Sequence, residues 1–436
     1  MNTIEQGAAH GRRYRWVIVG LLLAATIINY VDRQMIGLLK PTLQEEFGWS
    51  EGDYANIVLW FQAAYAIGYL GFGATIDRIG AKAGYAFAFV IWTAAHIAHG
   101  LVSTVAGFSA VRFALGIGES GNFPAGLKAV AQWFPPKERA FATGIFNAGS
   151  NVGAIITPLL VPILTIAYGW QWTFIITGAV SLVWLVAWLV LYRNPPVDQS
   201  AYVAPPAPAD NAIEAPAIAA AAATTPVGAP PKIGWLAVLR MRETWAFASA
   251  KFLTDPIWWL FLFWLPDFFN RRHGLELAQF GPPLVAIYLV ADIGSVAGGW
   301  SSMRMMRGGM SQNKARKLTM LLCGLFVVPI IFAQYVDSLW GAVALIALAA
   351  AGHQAWSANL LTLPSDTIPQ NGIGSAIGIG GAAGAIGGMF MAQFTGWVLD
   401  TTGSYWPVFL VAGTVYLLAL GVIQLLVPRI PDRSAA

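Results

Sequence analysis

The chain has 436 residues, of which 57% are hydrophobic and only 11% charged, with a formal net charge of +4 and a mean hydropathy of +0.61. Soluble domains average about 25% charged residues, so the composition excludes a water-exposed globule and puts the outer surface in lipid. The lone Cys323 excludes an internal disulfide and a Cys-rich metal site, and the five scattered His form no metal-binding pattern.

The predicted elements are membrane helices. A helix needs about 20 apolar residues to cross the hydrocarbon core. Stretches of that size lie near 16–39, 54–76, 83–102, 106–132, 140–166 and 171–192, and again near 244–269, 280–303, 316–336, 339–362, 373–399 and 404–427. The expectation is an all-α polytopic protein of about twelve transmembrane helices in two six-helix bundles. No cleavable signal peptide is expected, because the first apolar stretch is too long and lacks a small-residue cleavage site.

Placing both termini in the cytoplasm puts the great majority of the 25 Lys and Arg inside, with Lys40, Arg271 and Arg272 outside. The positive charge is thus read as membrane topology, and no nucleic-acid partner is expected. Residues 195–231 are rich in Ala and Pro, low in charge and without periodicity, which reads as a flexible tether. The expected division is an N-terminal bundle over 1–194, a linker over 195–241 and a C-terminal bundle over 242–436. Gly144, Gly153, Gly169 and Trp172 recur at one constant offset as Gly378, Gly387, Gly403 and Trp406, as a duplicated half would give.

Charge inside the spans carries the functional reading. Asp32 and Arg33 sit well within the first apolar stretch, Arg112 and Glu119 in the fourth, and Lys251 and Asp255 in the seventh. Each such group disfavours insertion by about 2.5–3.5 kcal/mol at a helix centre, so it faces the protein interior and has a use. Cations that hold an anion, beside acids that hold a proton, point to proton-coupled anion transport. No nucleophile with its base is visible, so the chain is not read as an enzyme.

Motifs sharpen this. Gly73-x3-Asp77-Arg78-x-Gly80-x-Lys82 between spans two and three resembles the signature loop of the major facilitator superfamily, and Arg112 to Glu119 resembles its second motif. Asn29-Tyr30-Val-Asp32-Arg33, Gly118-Glu119-Ser-Gly-Asn-Phe-Pro124, Trp133-Phe-Pro-Pro-Lys-Glu-Arg139 and Asp255-Pro256-Ile-Trp258-Trp259 to Pro266 together resemble the anion:cation symporter family, and within it bacterial hexuronate transporters. The resemblance implies the major facilitator fold and proton-driven symport of a sugar acid such as galacturonate or glucuronate. It also implies a bacterial inner-membrane location, a monomer and no cofactor beyond the coupling proton. Hexonates, aldarates or another organic anion remain open as cargo, as does a membrane receptor for such acids.

Arg33 is the first candidate for the substrate carboxylate, because guanidinium matches carboxylate in a two-point fork. Asp32 and Glu119 are the candidate proton sites, with Arg112 as the cation beside Glu119. Neighbouring helical residues point about 100° apart, so Arg33 is not expected to pair with Asp32. Lys251 could grip the far end of a sugar acid or snorkel to the interface, and Asp255 could be its partner. Tyr65, Asn147, Gln354, Trp356, Ser357 and Asn359 are candidates for sugar hydroxyls, each with helix packing as the plain alternative. Gly73, Asp77, Arg78 and Gly80 are expected to form a conformational latch. No site is assigned to His96 or His99.

Overall fold

The computed structural model describes residues 3–134, 136–193, 195, 235–369 and 372–430. The described residues are helical almost throughout: α1 (Thr3–Phe47), α2 (Glu51–Ala98), α3 (Val105–Glu119), α4 (Asn122–Trp133), α5 (Pro136–Tyr168) and α6 (Trp170–Leu191) precede the linker. After it come α7 (Trp235–Leu239), α8 (Arg242–His273), α9 (Gly281–Arg307), α10 (Gln312–Val327), α11 (Leu339–Leu360), α12 (Leu363–Thr367), α13 (Ile373–Thr402) and α14 (Trp406–Leu426). In hydrocarbon each backbone N–H must find its acceptor within the segment, which leaves the helix as the element these apolar runs can form.

Helix α2 is two spans joined at Gly80, whose φ of 86° and ψ of 165° turn the chain back. A side chain there would strain the backbone, and glycine supplies the turn without that cost. Helices α3 and α4 form one span, broken where Ser120 and Gly121 interrupt the ladder. The short α12 prolongs α11. Counted this way, the described residues make about twelve traverses, six before and six after the linker. Eight stretches are long and apolar enough to cross a membrane by length and composition. Helix α8 carries Lys251, Asp255 and Asp267 within its 32 residues and is the most charged traverse of the second half.

The outer faces are apolar: Val183 is 69% exposed on α6 and Val296 is 75% exposed on α9. Such a surface is stable only against lipid. Small residues bring the helices together. A Cβ on Gly149 would meet the Leu23 carbonyl oxygen at 2.6 Å, and one on Gly153 the Ile27 oxygen at 2.7 Å, so α5 lies directly against α1. Helix α13 uses Gly387 and Gly380 in the same way against Phe252 and Phe247 of α8.

The Ala/Pro-rich stretch read as a tether falls almost wholly outside the described residues. The last part of the expected linker, beyond that stretch, is helical: α7 places Val238, fully buried, with Ile368 and Ala376. Lys40, which topology alone places at the outer surface, is instead fully buried. Its Nζ lies 2.6 Å from Glu51 and 2.7 Å from Asp267. Arg271 pairs with the same two acids, reaching Asp267 at 2.8 Å. The Glu51 and Gly52 amides at the start of α2 donate to Asp400 of α13 at 3.0 and 2.8 Å. Gln393 donates to Asn56 at 3.1 Å. These contacts clamp the two halves together at the end of the bundle away from the chain termini.

Candidate functional site

The site grows from one turn of α1. Successive helical residues diverge by about 100°, so Asp32 and Arg33 face different neighbours. Arg33 points towards α3 and the first arm of α2, and Asp32 towards the second arm. The glycines of α3 make this possible. A Cβ on Gly116 would lie 2.4 Å from the Phe61 oxygen, and one on Gly118 2.5 Å from the Trp92 nitrogen. Helix α3 therefore wedges between both arms of α2 and brings Glu119 to α1.

Arg33 is 3% exposed, and its Nε and Nη2 are both engaged. Its Nε donates to Glu119 Oε2 at 2.8 Å, and its Nη2 donates to Asn29 Oδ1 at 2.9 Å and to the Tyr65 hydroxyl at 3.1 Å. Its guanidinium also lies over the rings of Tyr30 (4.7 Å), Tyr65 (4.8 Å) and Trp259 (5.3 Å). Trp259 belongs to α8, so this guanidinium sits where the two halves meet.

Arg112 is fully buried on α3 and holds no carboxylate at ion-pair distance among the described residues. Its Nη atoms lie 3.3 and 3.4 Å from the Arg33 carbonyl oxygen, and its guanidinium covers the Phe61 ring at 4.4 Å. Among the described residues its Nε has no hydrogen-bond partner, nor has Glu119 Oε1. Arg112 and Glu119 thus share a helix without pairing; the partner of Glu119 is Arg33. Unmet polar atoms in a buried site are costly, and a polar cargo would satisfy them.

Asp32 receives the Trp92 indole N–H on Oδ2 at 3.1 Å, and His96 Nε2 lies 3.3 Å from Oδ1. His96 is thus a close neighbour of Asp32 that residue identity alone did not disclose. The available signal was the four-residue spacing of Trp92 and His96, which sets two ring N–H groups on one face of a membrane helix. Gln62 was likewise unsignalled. It is buried beside Trp259 and Gly388, with neither amide atom hydrogen-bonded among the described residues.

The other candidates scatter. Tyr65 joins the Arg33 cluster. Lys251 pairs with Asp255 at 2.5 Å on α8, and the pair packs where Gly384 leaves room, since a Cβ there would sit 2.4 Å from Asp255 Oδ2. Asn147 is exposed on α5, and Gln354 and Ser357 are half-buried on α11. Trp356 is fully buried edge-on to Tyr416 at 5.4 Å. Asn359 donates to the carbonyls of Gly298 (3.0 Å) and Ala355 (2.9 Å), stitching α11 to α9. In this structure the Trp356 ring and the Asn359 amide N–H groups are engaged in helix packing. Of the expected latch, Arg78 is exposed and Gly80 makes the turn, while Gly73 and Asp77 lie outside the described side chains.

Residues 22–392 match the Major Facilitator Superfamily. The chain belongs to this superfamily. It is 31% identical to a hexuronate transporter of Escherichia coli K12 over 429 residues, covering 97% of this chain and 96% of that one. It is 32% identical to a galacturonate transporter of Dickeya chrysanthemi over 321 residues, covering 72% and 89%. Among solved structures, a bacterial homologue of the human lysosomal transporter Spinster, inward-facing and unoccupied, superposes with a TM-score of 0.70 at 18% identity, covering 95% of each chain. This member is a multi-pass membrane protein and not an enzyme.

Proposed function

We propose that the chain is a proton-coupled symporter that imports sugar-acid anions, with hexuronates such as galacturonate and glucuronate as the preferred class. The observation that carries the reading is the buried Arg33–Glu119 pair at the junction of the halves. A carboxylate already occupies the guanidinium, and a substrate carboxylate offers the same chemistry. Protonating Glu119 removes its charge and frees Arg33 Nε for the cargo; Tyr65 and Asn29 keep the fork oriented meanwhile.

In the proposed cycle, protons load Glu119 and Asp32 while the site faces outwards. The anion binds between Arg33 and Arg112, the halves rock, and deprotonation on the inner side restores the Arg33–Glu119 pair and expels the cargo. Each pH unit contributes about 1.4 kcal/mol per proton, and each charge crossing the membrane about 2.3 kcal/mol per 100 mV. With one proton per monoanion the potential contributes nothing; with two, both terms drive uptake. The sugar-acid assignment is supported by the likeness to the hexuronate transporter of Escherichia coli and the galacturonate transporter of Dickeya chrysanthemi.

The test is uptake in proteoliposomes under an imposed acid-outside gradient. Concentrative uptake of labelled galacturonate, competed by glucuronate more strongly than by galactonate or glucarate, is the expected result. Stronger competition by an aldonate or aldarate moves the substrate within the sugar acids, and no concentration of any sugar acid rejects the proposal.

A further inference from the structure

His96 lies on the second arm of α2, fully buried, between α1 and α6. Its Nε2 is 2.8 Å from Thr177 Oγ1 and 3.3 Å from Asp32 Oδ1. The Thr177 hydroxyl lies 2.7 Å from the Thr173 carbonyl oxygen. A carbonyl cannot donate, so the single hydroxyl proton points there and Thr177 Oγ1 is left as an acceptor. The hydrogen between His96 and Thr177 therefore sits on Nε2. In the structure that N–H is given to the neutral Thr177 hydroxyl oxygen, while Asp32 Oδ1, 3.3 Å from Nε2, accepts no hydrogen bond among the described residues and stands as the second acceptor within reach.

Nδ1 of His96 has no hydrogen-bond partner among the described residues. An added proton would have to sit there, buried and without an acceptor, so the imidazole serves as a fixed donor and not as the proton carrier. The remaining ionisable neighbours are few. Glu119 of α3 acts on Asp32 and Arg112 of α3 acts on His96. Arg33 is adjacent on α1, and His99, whose Nδ1 is turned to the Ala95 carbonyl at 2.8 Å, is the neighbour on the His96 side. Helix α6 carries no ionisable side chain.

We propose that His96 is a positioning residue for the Asp32 proton site, its Nε2–H serving Asp32 when the carboxylate is ionised and Thr177 when it is protonated. The proposal rests on the reading of Asp32 as a proton site and goes beyond it. Trp92 holds the other carboxylate oxygen throughout, so the side chain stays in place while one donor is exchanged. A site built this way can gain and lose a proton without leaving a buried N–H unmet in either state.

The two acceptors make a prediction of opposite signs. His96→Leu removes a donor from the ionised carboxylate, so Asp32 takes up its proton at a higher pH, by about one unit. Thr177→Val removes the competing acceptor, commits the N–H to Asp32 and moves the midpoint to a lower pH. His96→Gln, which restores an N–H donor, recovers part of the first shift. The experiment is an infrared titration of the purified full-length protein, following the protonated-carboxyl stretch that Asp32→Asn abolishes. It needs no substrate, so a wrong cargo assignment would leave it intact. Opposite shifts for His96→Leu and Thr177→Val support the proposal. Shifts of one sign, or none, with a titrating Asp32 band overturn it alone. Absence of any band that depends on Asp32 overturns it together with the role of Asp32 as a proton site.

Discussion

Arg33 and Glu119, 86 residues apart in the chain, meet at 2.8 Å on two helices inside the membrane. The guanidinium cannot lose its proton at working pH and the carboxylate can gain one. In the proposed cycle the pair is a contact that a proton opens and a cargo carboxylate can replace.

Glu119→Gln fixes the acid in its neutral form. Counterflow of labelled galacturonate is expected to persist, because Arg33 remains free for cargo. Accumulation driven by a pH gradient is expected to vanish. Proteoliposome assays run in both modes on one preparation check this, and unchanged accumulation rejects the coupling role.

Arg33→Lys keeps the charge and loses the fork. An ammonium cannot hold Glu119, Asn29 and Tyr65 in the same plane. Losing one hydrogen bond to a charged group costs about 1.5–3 kcal/mol, so KM for galacturonate is expected to rise roughly 10- to 100-fold. Initial-rate measurements give the answer.

Lys40→Met removes a cation from between two acids. Breaking a buried ion pair by deleting one partner costs about 3–5 kcal/mol. Arg271 still serves Glu51 and Asp267, so the lower end of that range is expected, read as a lower melting temperature in detergent. Lys40→Arg, which keeps the charge, should lie much closer to the unmodified protein.

The Asn56–Gln393 contact spans the two halves at 3.1 Å. Cysteines at both positions are expected to cross-link under mild oxidation and to arrest uptake, with recovery on reduction. Full activity of the cross-linked protein would show that this end need not open during transport.

Helix α13 offers a contrast in packing. A Cβ on Gly387 would lie 2.1 Å from the Phe252 carbonyl oxygen, whereas one on Gly20 would meet nothing within 4 Å. Gly387→Ala is expected to destabilise by about 1–3 kcal/mol, the usual cost of overpacking. Gly20→Ala should leave the melting temperature almost unchanged.

Much of this was legible in the chain itself. Apolar length located the spans, because lipid imposes one constraint on every segment. Charges within those spans marked Asp32, Arg33, Arg112 and Glu119, because ionised groups in oil are too costly to keep without use. The partners were harder to foresee. Nothing local says that Glu119 reaches Arg33 and not Arg112 on its own helix, since the choice depends on how Gly116 and Gly118 seat α3 against α2. Lys40 read as a solvated loop cation because Glu51, Asp267 and Arg271 come together only in three dimensions. His96 gave no signal as a single residue, for a histidine in an apolar stretch is as easily a packed core group. Trp356 and Asn359 show the opposite ambiguity: polar atoms on a membrane helix serve neighbouring helices as readily as a sugar.

The start of α2 holds a last consequence. Its first turn has a cap of its own, with the Ser50 hydroxyl accepting from the Asp53 amide and Asp53 accepting from Ser50, in addition to the carboxylate lent by Asp400. The home-grown cap travels with the helix, while the borrowed one stays behind when the halves part. The moving half can thus let go of its partner without unravelling at the point of release, and the same borrowed carboxylate is waiting as a docking post when it returns.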